Sequence, residues 1–350
     1  MSLEAFRARI ERAAAEHRPL RLRGGGTKDF YGAELRGDVL DLTPYRGVVS
    51  YEPTELVVTA RCGTPLAELE AELEQNGQWL AFEPPHFGAG ATLGGCVAAG
   101  LSGPRRAAAG AVRDFVLGVK AIDGRARVLD FGGQVMKNVA GYDVSRLLAG
   151  SLGTLAVIAE VSLKVLPRAP VEASLRFALP QARALELLNA WAGQPLPVSA
   201  SAWHGGELVV RLSGARTAVE TAAAKLGGEP LSGQADFWRS LREHTAPFFD
   251  GPEPLWRLSL PGTTPELDLP GHQLIEWNGA LRWLKSSAPA DRIRSVASSA
   301  GGHATLFCAP GKRAEAFAPL DAVKLRLHRE LKAAFDPAGI LNPGRLYPGL

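Results

Sequence analysis

The sequence predicts an α+β protein built as two domains, and three observations carry that expectation. At 350 residues with 46% hydrophobic composition, the chain can bury a large core and is long enough for two. Strand-like alternation and helix-like spacing recur along its whole length. Pro167-Arg168-Ala169-Pro170 interrupts a strong strand, and the glycine-rich character that precedes it then fades, which marks a boundary.

The elements follow in order. Leu3, Phe6, Ile10 and Ala13 or Ala14 recur at helical spacing among Arg and Glu, predicting a short amphipathic helix to about His17 that covers a sheet. After Pro19, the alternation of Leu20 to Arg23 predicts a strand that runs into the turn Gly24-Gly25-Gly26-Thr27-Lys28. Val39 to Leu42 is a short strand and Leu56 to Ala60 a stronger one. Thr64 is expected to cap a helix with Pro65 at its first position, Leu66, Leu69 and Leu73 on one face, and Gly77 past its end. Phe82 is expected to close another strand. Between Gly88 and Gly110 the large apolar residues are Leu93, Val97 and Leu101, too few for an ordinary core element, so something other than packing should order this run.

Val116 to Ile122 reads as a strand, Asp123-Gly124 as a hairpin turn and Arg127 to Phe131 as the return. Lys137 to Asp143 leads into a helix carrying Val144, Leu147 and Leu148, then Gly150 to Thr154 precedes the strand Leu155 to Leu166. Beyond the boundary, strands are expected at 174–179, 207–212, 255–260, 274–277, 280–284 and 304–308, and helices at 182–191, 217–226, 237–243 and 291–300. Such mixing predicts an antiparallel sheet covered on one face by helices. A last helix spans Pro319 to Phe335, and the apolar tail Gly339 to Tyr347 is expected to dock on the first domain.

Composition excludes several function classes. Net charge is +3 with both signs interspersed and no run of five Lys or Arg, so no nucleic-acid partner is expected. Cys62, Cys96 and Cys308 lie far apart, which rules out a self-contained iron–sulfur or zinc set and fits a reduced, cytoplasmic setting. No apolar run is long enough to span a bilayer, so membrane contact is expected only through partners, peripherally. The seven histidines form no H-x-H or H-x-x-x-H pair, and no metal is expected.

The glycines carry the chemistry. Gly24 to Lys28 lacks the Walker spacing, Gly88-x-Gly90-x-x-x-Gly94 misses the Rossmann fingerprint by one residue, and Ala149-x-Ser151-x-Gly153 has strand and helix in the wrong order for a nucleophile elbow. Two glycine-rich loops beside strands instead suggest a long ligand gripped at several points, and FAD is such a ligand. A plain hairpin turn fits Gly24 to Lys28 equally. His86, between Pro85 and Phe87, is a candidate catalyst or a loop histidine bonded to backbone. Arg105 and Arg106 are either a positive lip for a carboxylate or reduced flavin, or a solvated pair. Trp203, Trp238, Trp256, Trp277 and Trp283 are better explained by core packing or a partner interface than by a cofactor.

Taken together, Gly24 to Thr27, Gly90-Ala91-Thr92-Leu93-Gly94-Gly95, Gly110 with Asp114 and Val116, Gly141-Tyr142-Asp143, Gly150 to Leu155 and the closing Asp336-Pro337 to Gly344 resemble the vanillyl-alcohol oxidase/p-cresol methylhydroxylase (PCMH) type of FAD domain. More narrowly, FEPPHFGAGATLGG (82–95), AAGLSGPRR (98–106), AVRDFVLG (111–118) and GGQVMKNVAGYDVSRL (132–147) are similar to the FAD-binding E subunits of bacterial glycolate oxidases. The resemblance implies a PCMH-type two-lobed FAD domain over 1–167, an antiparallel α+β cap over 168–335 and a returning segment at 336–350. It implies non-covalent FAD held by Gly24, Gly25, Gly26, Thr27, Gly90, Ala91, Thr92, Gly94 and Gly95. Gly100 and Gly103 would approach the flavin, Gly110, Val116, Thr154 and Ile158 would contact the adenosine or flavin ends, and Asn342 would sit near the flavin. It also implies a second flavin subunit and an iron–sulfur subunit as partners, a small 2-hydroxy acid such as glycolate or D-lactate as substrate, and electrons passing toward quinone.

Two departures stand out. Hydroxy-acid-oxidising relatives carry His-x-Gly-Asp-Gly-Asn in the cap where this chain has Gly302-His303-Ala304-Thr305, and often Asn-Ala-Gly-Gly where it has Gly100-Leu101-Ser102-Gly103. Flavin binding survives both departures, but turnover by the chain alone is not implied. A free-standing FAD-dependent dehydrogenase and a flavin-free assembly subunit are the alternatives.

Overall fold

The alternating strand at Leu20–Arg23 pairs in parallel with Asp38–Asp41, and the helix Leu3–Ala15, capped by Ser2, buries Phe6, Ile10 and Ala13 beside them. These elements belong to a computed structural model that describes residues 2–133, 143–311 and 315–350. The expected motif at Gly141-Tyr142 and the run from Lys137 lie outside the described residues. By its internal contacts the chain divides into one unit of Met1–Leu101, Ala111–Pro167 and Lys312–Leu350, and another of Ser102–Gly110 and Arg168–Gly311. This division differs from the sequence expectation in two places. Residues 102–110 go with the second unit, and the last helix goes with the first.

In the first unit, five antiparallel strands run in the spatial order Val48–Glu52, Val57–Arg61, Ala156–Lys164, Val116–Asp123 and Val128–Gly132. Ala156–Lys164 is buried along nearly its whole length, as a central strand should be. Phe6, Ile10, Leu20, Leu40, Ile122, Val157, Ile340 and Leu341 form one core, so the first helix and the C-terminal segment share a hydrophobic cluster with this sheet. Burying such side chains contributes about 1.5–3 kcal/mol each.

Three local expectations are corrected. Thr64 does not cap the helix Leu66–Glu74: Pro65 sits at the cap, while Thr64 Oγ1 accepts the Gly47 N–H at 2.9 Å. Phe82 lies in a turn, and the short strand ends at Trp79. The Asp123-Gly124 turn is wider than a two-residue hairpin, because the buried Asp123 carboxylate accepts the N–H groups of Arg125 and Arg127 at 3.0 and 2.9 Å and organises a longer loop.

The second unit is an eight-stranded antiparallel sheet, helped by the strand Val198–His204, whose Ser/Ala-rich sequence carries too weak an apolar pattern to be expected. Leu208, Val210 and Leu212 meet the helices Gln181–Ala192 and Arg216–Leu226, and Trp256, Leu258 and Leu284 meet Ala290–Ser299. Strand residues alternate faces, so Arg211 and Ser213 point away from these helices. Trp203, Trp238, Trp277 and Trp283 donate their indole N–H groups to Leu179 O, Ser174 Oγ, Gly103 O and Glu276 Oε1 at 2.8–3.0 Å, the behaviour of core aromatics.

Candidate functional site

Three segments of the first unit meet at a glycine-lined cleft. The strand Leu20–Arg23 ends in Gly24, and the turn to Thr27 lies against the loop that precedes the helix Leu93–Ala99. A Cβ on Gly25 would fall 1.5 Å from the Gly90 carbonyl oxygen, and one on Gly24 would fall 2.3 Å from Thr92 Oγ1. No other residue permits that approach. Thr92 caps the helix and its Oγ1 accepts the Gly95 N–H at 3.3 Å.

The third segment is the C-terminal return. Leu20 N–H donates to Ile340 O at 2.7 Å and Asn342 N–H to Leu20 O at 2.9 Å, extending the first strand by a parallel bridge. Beneath it, buried Lys332 donates to Thr154 O, Asp336 Oδ2 and Leu341 O at 2.7, 2.7 and 2.8 Å. Burial lowers the Lys332 pKa, while Asp336 acts in the opposite direction. Arg345 donates to the carbonyls of Ala33, Asp29 and Lys28, gripping the chain just after the glycine turn. Burial pushes the Arg345 guanidinium down to about 10, with Asp29 opposing, so it stays charged at neutral pH.

The cleft has two walls of different chemistry. One is backbone and polar, from Gly24 to Asp29 with Thr92 and Arg345; the other is apolar, from Leu22, Ala98, Leu152, Ala156 and Ile158. Among the described residues, the N–H groups of Gly24, Gly25, Gly26 and Thr27 meet no hydrogen-bond acceptor. Half-buried amides need partners, and a row of them makes a concavity suited to an anion. A ligand with a diphosphate and a flat apolar ring system fits both walls.

The structure gathers Gly24, Gly25, Gly26, Thr27, Thr92, Gly94, Gly95, Ile158 and Asn342 at this cleft. Gly90 and Ala91 stand behind it, Gly90 against Gly25 and Ala91 O accepting the Leu66 N–H at 2.8 Å. Gly100, Val116 and Thr154 do not line it: Gly100 ends the helix at φ 67°, Val116 is in the core, and Thr154 Oγ1 bonds Ser151 O at 2.8 Å. Gly103 and Gly110 fall in the second unit. Sequence reasoning missed Arg345 and Leu152, although each adjoins a glycine of an expected motif.

The remaining candidates separate. His86 Nε2 lies 3.0 Å from Glu70 Oε2, on the helix Leu66–Glu74, and its carbonyl accepts Lys28 Nζ at 3.2 Å. Arg105 is buried, paired with Glu172 and donating to Ser213 Oγ at 3.2 Å. Its neighbour Arg106 is exposed, with its guanidinium 4.4 Å from the Trp277 ring centroid, and Arg257 lies 5.2 Å from the same ring. Partial burial and then Arg257 lower the His303 pKa. Two guanidiniums therefore approach one indole, a concentration of positive charge that suits a small carboxylate. No group of three His, Cys, Asp or Glu among the described residues could hold a metal, and no described helix is long and apolar enough to cross a membrane.

Comparison with known proteins adds the following. Residues 2–132 match the model of an FAD binding domain, and residues 288–346 match that of the C-terminal domain of FAD linked oxidases. The chain is 50% identical over 347 residues to glycolate oxidase subunit GlcE of Escherichia coli, covering 99% of this chain and 98% of that one. A D-lactate dehydrogenase of Archaeoglobus fulgidus is 34% identical over 152 residues, 43% of this chain and 34% of its own. An alkyldihydroxyacetonephosphate synthase structure superimposes with a TM-score of 0.66 at 15% identity, over 96% of this chain and 73% of that one, which supports the fold.

Proposed function

The chain belongs to the FAD-linked oxidases, in the family of glycolate oxidase E subunits, and from that premise we propose that it is the FAD-holding subunit of a complex that oxidises glycolate, and D-lactate, to the 2-oxo acid. Its partners in this reading are a second flavin subunit and an iron–sulfur subunit, with electrons leaving toward quinone. The first unit is the FAD domain and the second the cap.

The observation that carries the reading is the row of four amide donors from Gly24 to Thr27, set opposite an apolar wall. Bound FAD supplies the two-electron acceptor for a hydroxy acid. Gly24 to Thr27, Thr92 and Gly95 hold its diphosphate. Leu22, Ala98, Leu152 and Ile158 keep water from its apolar part, and Arg345 and Asn342 hold the glycine turn and the return segment in place. Arg106 and Arg257 bind the substrate carboxylate beside Trp277, while Arg105 positions the segment that carries Arg106.

The test is to purify the chain alone and with its candidate partner subunits, measuring flavin per chain and glycolate-dependent dye reduction in each. The expected result is stoichiometric flavin on the chain alone and turnover only in the assembled complex. A flavin-free chain would leave the assembly-subunit reading, and full turnover by the chain alone would leave the free-standing dehydrogenase.

A further inference from the structure

The hairpin between the strands His272–Glu276 and Leu281–Lys285 is closed by four residues, because Glu276 and Leu281 are its last pair in register. Asn278 and Gly279 stand at φ 54° and 94°, and Ala280 N–H donates to Trp277 O at 3.1 Å, a type I′ turn on the Asn-Gly pair that forms it most readily. Trp277 does not share that ease. It sits at φ 53°, and among the described residues it is the bulkiest side chain held in the left-handed region. Such a backbone persists only where its surroundings over-determine it, and it clusters at active sites and ligand clamps.

Two sets of contacts hold it there. Ser201, fully buried on the neighbouring strand Val198–His204, accepts the Asn278 N–H at 2.9 Å and donates to Asn278 Oδ1 at 2.9 Å. The indole of Trp277, itself buried, reaches the segment Ser102–Gly110 of the same unit. Its Nε1–H donates to Gly103 O at 3.0 Å, and the same carbonyl accepts the Arg106 N–H at 3.1 Å. The Arg106 guanidinium returns to 4.4 Å from the ring centroid, with Arg257 at 5.2 Å. One side chain therefore bears on Arg106 twice, through the carbonyl that its backbone bonds and through its charge.

We propose that Trp277 is a positioning residue of the carboxylate site: its left-handed backbone, locked by Ser201 through Asn278, sets the indole that aligns Arg106 beside Arg257. The proposal rests on the reading of Arg106 and Arg257 given above and adds what places them. An exposed arginine has many rotamers, and holding one of them before substrate arrives reduces the entropy lost on binding. A tryptophan that serves the core alone needs no such backbone. Trp203, Trp238 and Trp283 bond their N–H groups without entering the left-handed region. The carboxylate is not itself oxidised, so losing the alignment weakens binding in the ground state and the transition state alike.

The test is a double-mutant cycle in the assembled complex, reading KM and kcat for glycolate in wild type, Trp277→Phe, Arg106→Ala and the double variant. Trp277→Phe keeps a ring but removes the N–H that grips Gly103. It should raise KM about tenfold with kcat little changed, as loss of a charge-assisted contact does. In the double variant KM should be no higher than in Arg106→Ala, since a residue that acts through Arg106 has nothing left to act on. Ser201→Ala, which keeps the indole and loosens its turn, should raise KM in the same coupled way but by less. It carries the test where thermal midpoints show that Trp277→Phe does not fold. Additive effects of Trp277 and Arg106, or wild-type KM in Trp277→Phe, overturn the positioning role, while a raised KM in Arg106→Ala leaves the carboxylate reading standing. Wild-type KM in Ser201→Ala beside a coupled Trp277→Phe overturns the lock on the turn. Wild-type KM in Arg106→Ala overturns both the positioning role and the carboxylate reading.

Discussion

Asn342 Oδ1 accepts the Leu22 N–H at 2.8 Å while Asn342 Nδ2 donates to Leu152 O at 2.6 Å, so one side chain joins the C-terminal segment to two segments of the cleft's apolar wall. Asn342 itself sits at φ 41°, a conformation asparagine tolerates better than most residues. Asn342→Leu would leave a buried donor and a buried acceptor unpaired, each costing about 1–3 kcal/mol. Urea denaturation should show that loss, and flavin should dissociate more readily from the folded variant. Unchanged stability would show that water replaces the side chain.

Gly25 and Gly95 separate two ways of losing the cofactor. Gly25→Ala forces its Cβ into the Gly90 carbonyl, so the two loops must part, and both flavin content and the thermal midpoint should fall. A Cβ on Gly95 meets Thr92 Oγ1 at 3.2 Å and otherwise faces the cleft. Gly95→Trp should therefore empty the cleft of flavin at little cost to the midpoint of the flavin-free protein. Absorbance spectra and calorimetry of both variants distinguish these outcomes.

The adjacent arginines should behave differently. Arg105→Ala strips Glu172 and Ser213 of a buried partner and should cost about 1–3 kcal/mol of stability. Arg106→Ala removes an exposed stacking contact worth about 0.5–1 kcal/mol and should leave stability and flavin content almost unchanged. In the assembled complex, Arg106→Ala should lower kcat/KM for glycolate more than about tenfold, because a charge-assisted contact contributes about 1.5–3 kcal/mol. Wild-type turnover by that variant would remove Arg106 from the carboxylate site.

His244 gives the protein an acid limit. It is stacked on Phe249 at 4.0 Å and edged by Trp283, and burial, followed by Arg257, pushes its pKa down to about 3. The unfolded chain binds a proton at this residue below about pH 6.5 while the folded chain does not. Its contribution is therefore fully present above pH 6.5 and is lost as pH falls toward 3, at up to about 1.4 kcal/mol per pH unit. His244→Phe should flatten the fall of the thermal midpoint between pH 6 and about 4. An identical pH profile in the variant would show that another group sets the limit.

Much of the fold was legible because the signals were local. The helix Leu3–Ala15, the strands at Leu20 and Val57, the helices of the second unit and the glycine turn were all readable from apolar spacing and from residues that only a turn tolerates. The strand Val198–His204 was not, because its inward residues are Ala and Ser, and small residues carry no hydrophobic period. Thr64 had the identity of a cap, but a hydroxyl bonds whichever backbone group tertiary packing brings nearest, here the Gly47 N–H.

By itself, then, the sequence determined the α+β class, the glycine loops and their suitability for a diphosphate, since backbone conformation and local periodicity are properties of neighbouring residues. Tertiary structure alone decided which of those glycines share a cleft, that Arg345 and Asn342 hold it from the far end of the chain, and that Arg105 is buried while Arg106 is exposed. It also decided that the last helix turns Lys332 inward and Leu327 outward. The physical reason is the same in each case: a buried carbonyl, carboxylate or amide from a distant segment changes where a polar side chain is most stable, and that partner is not written beside it in the chain.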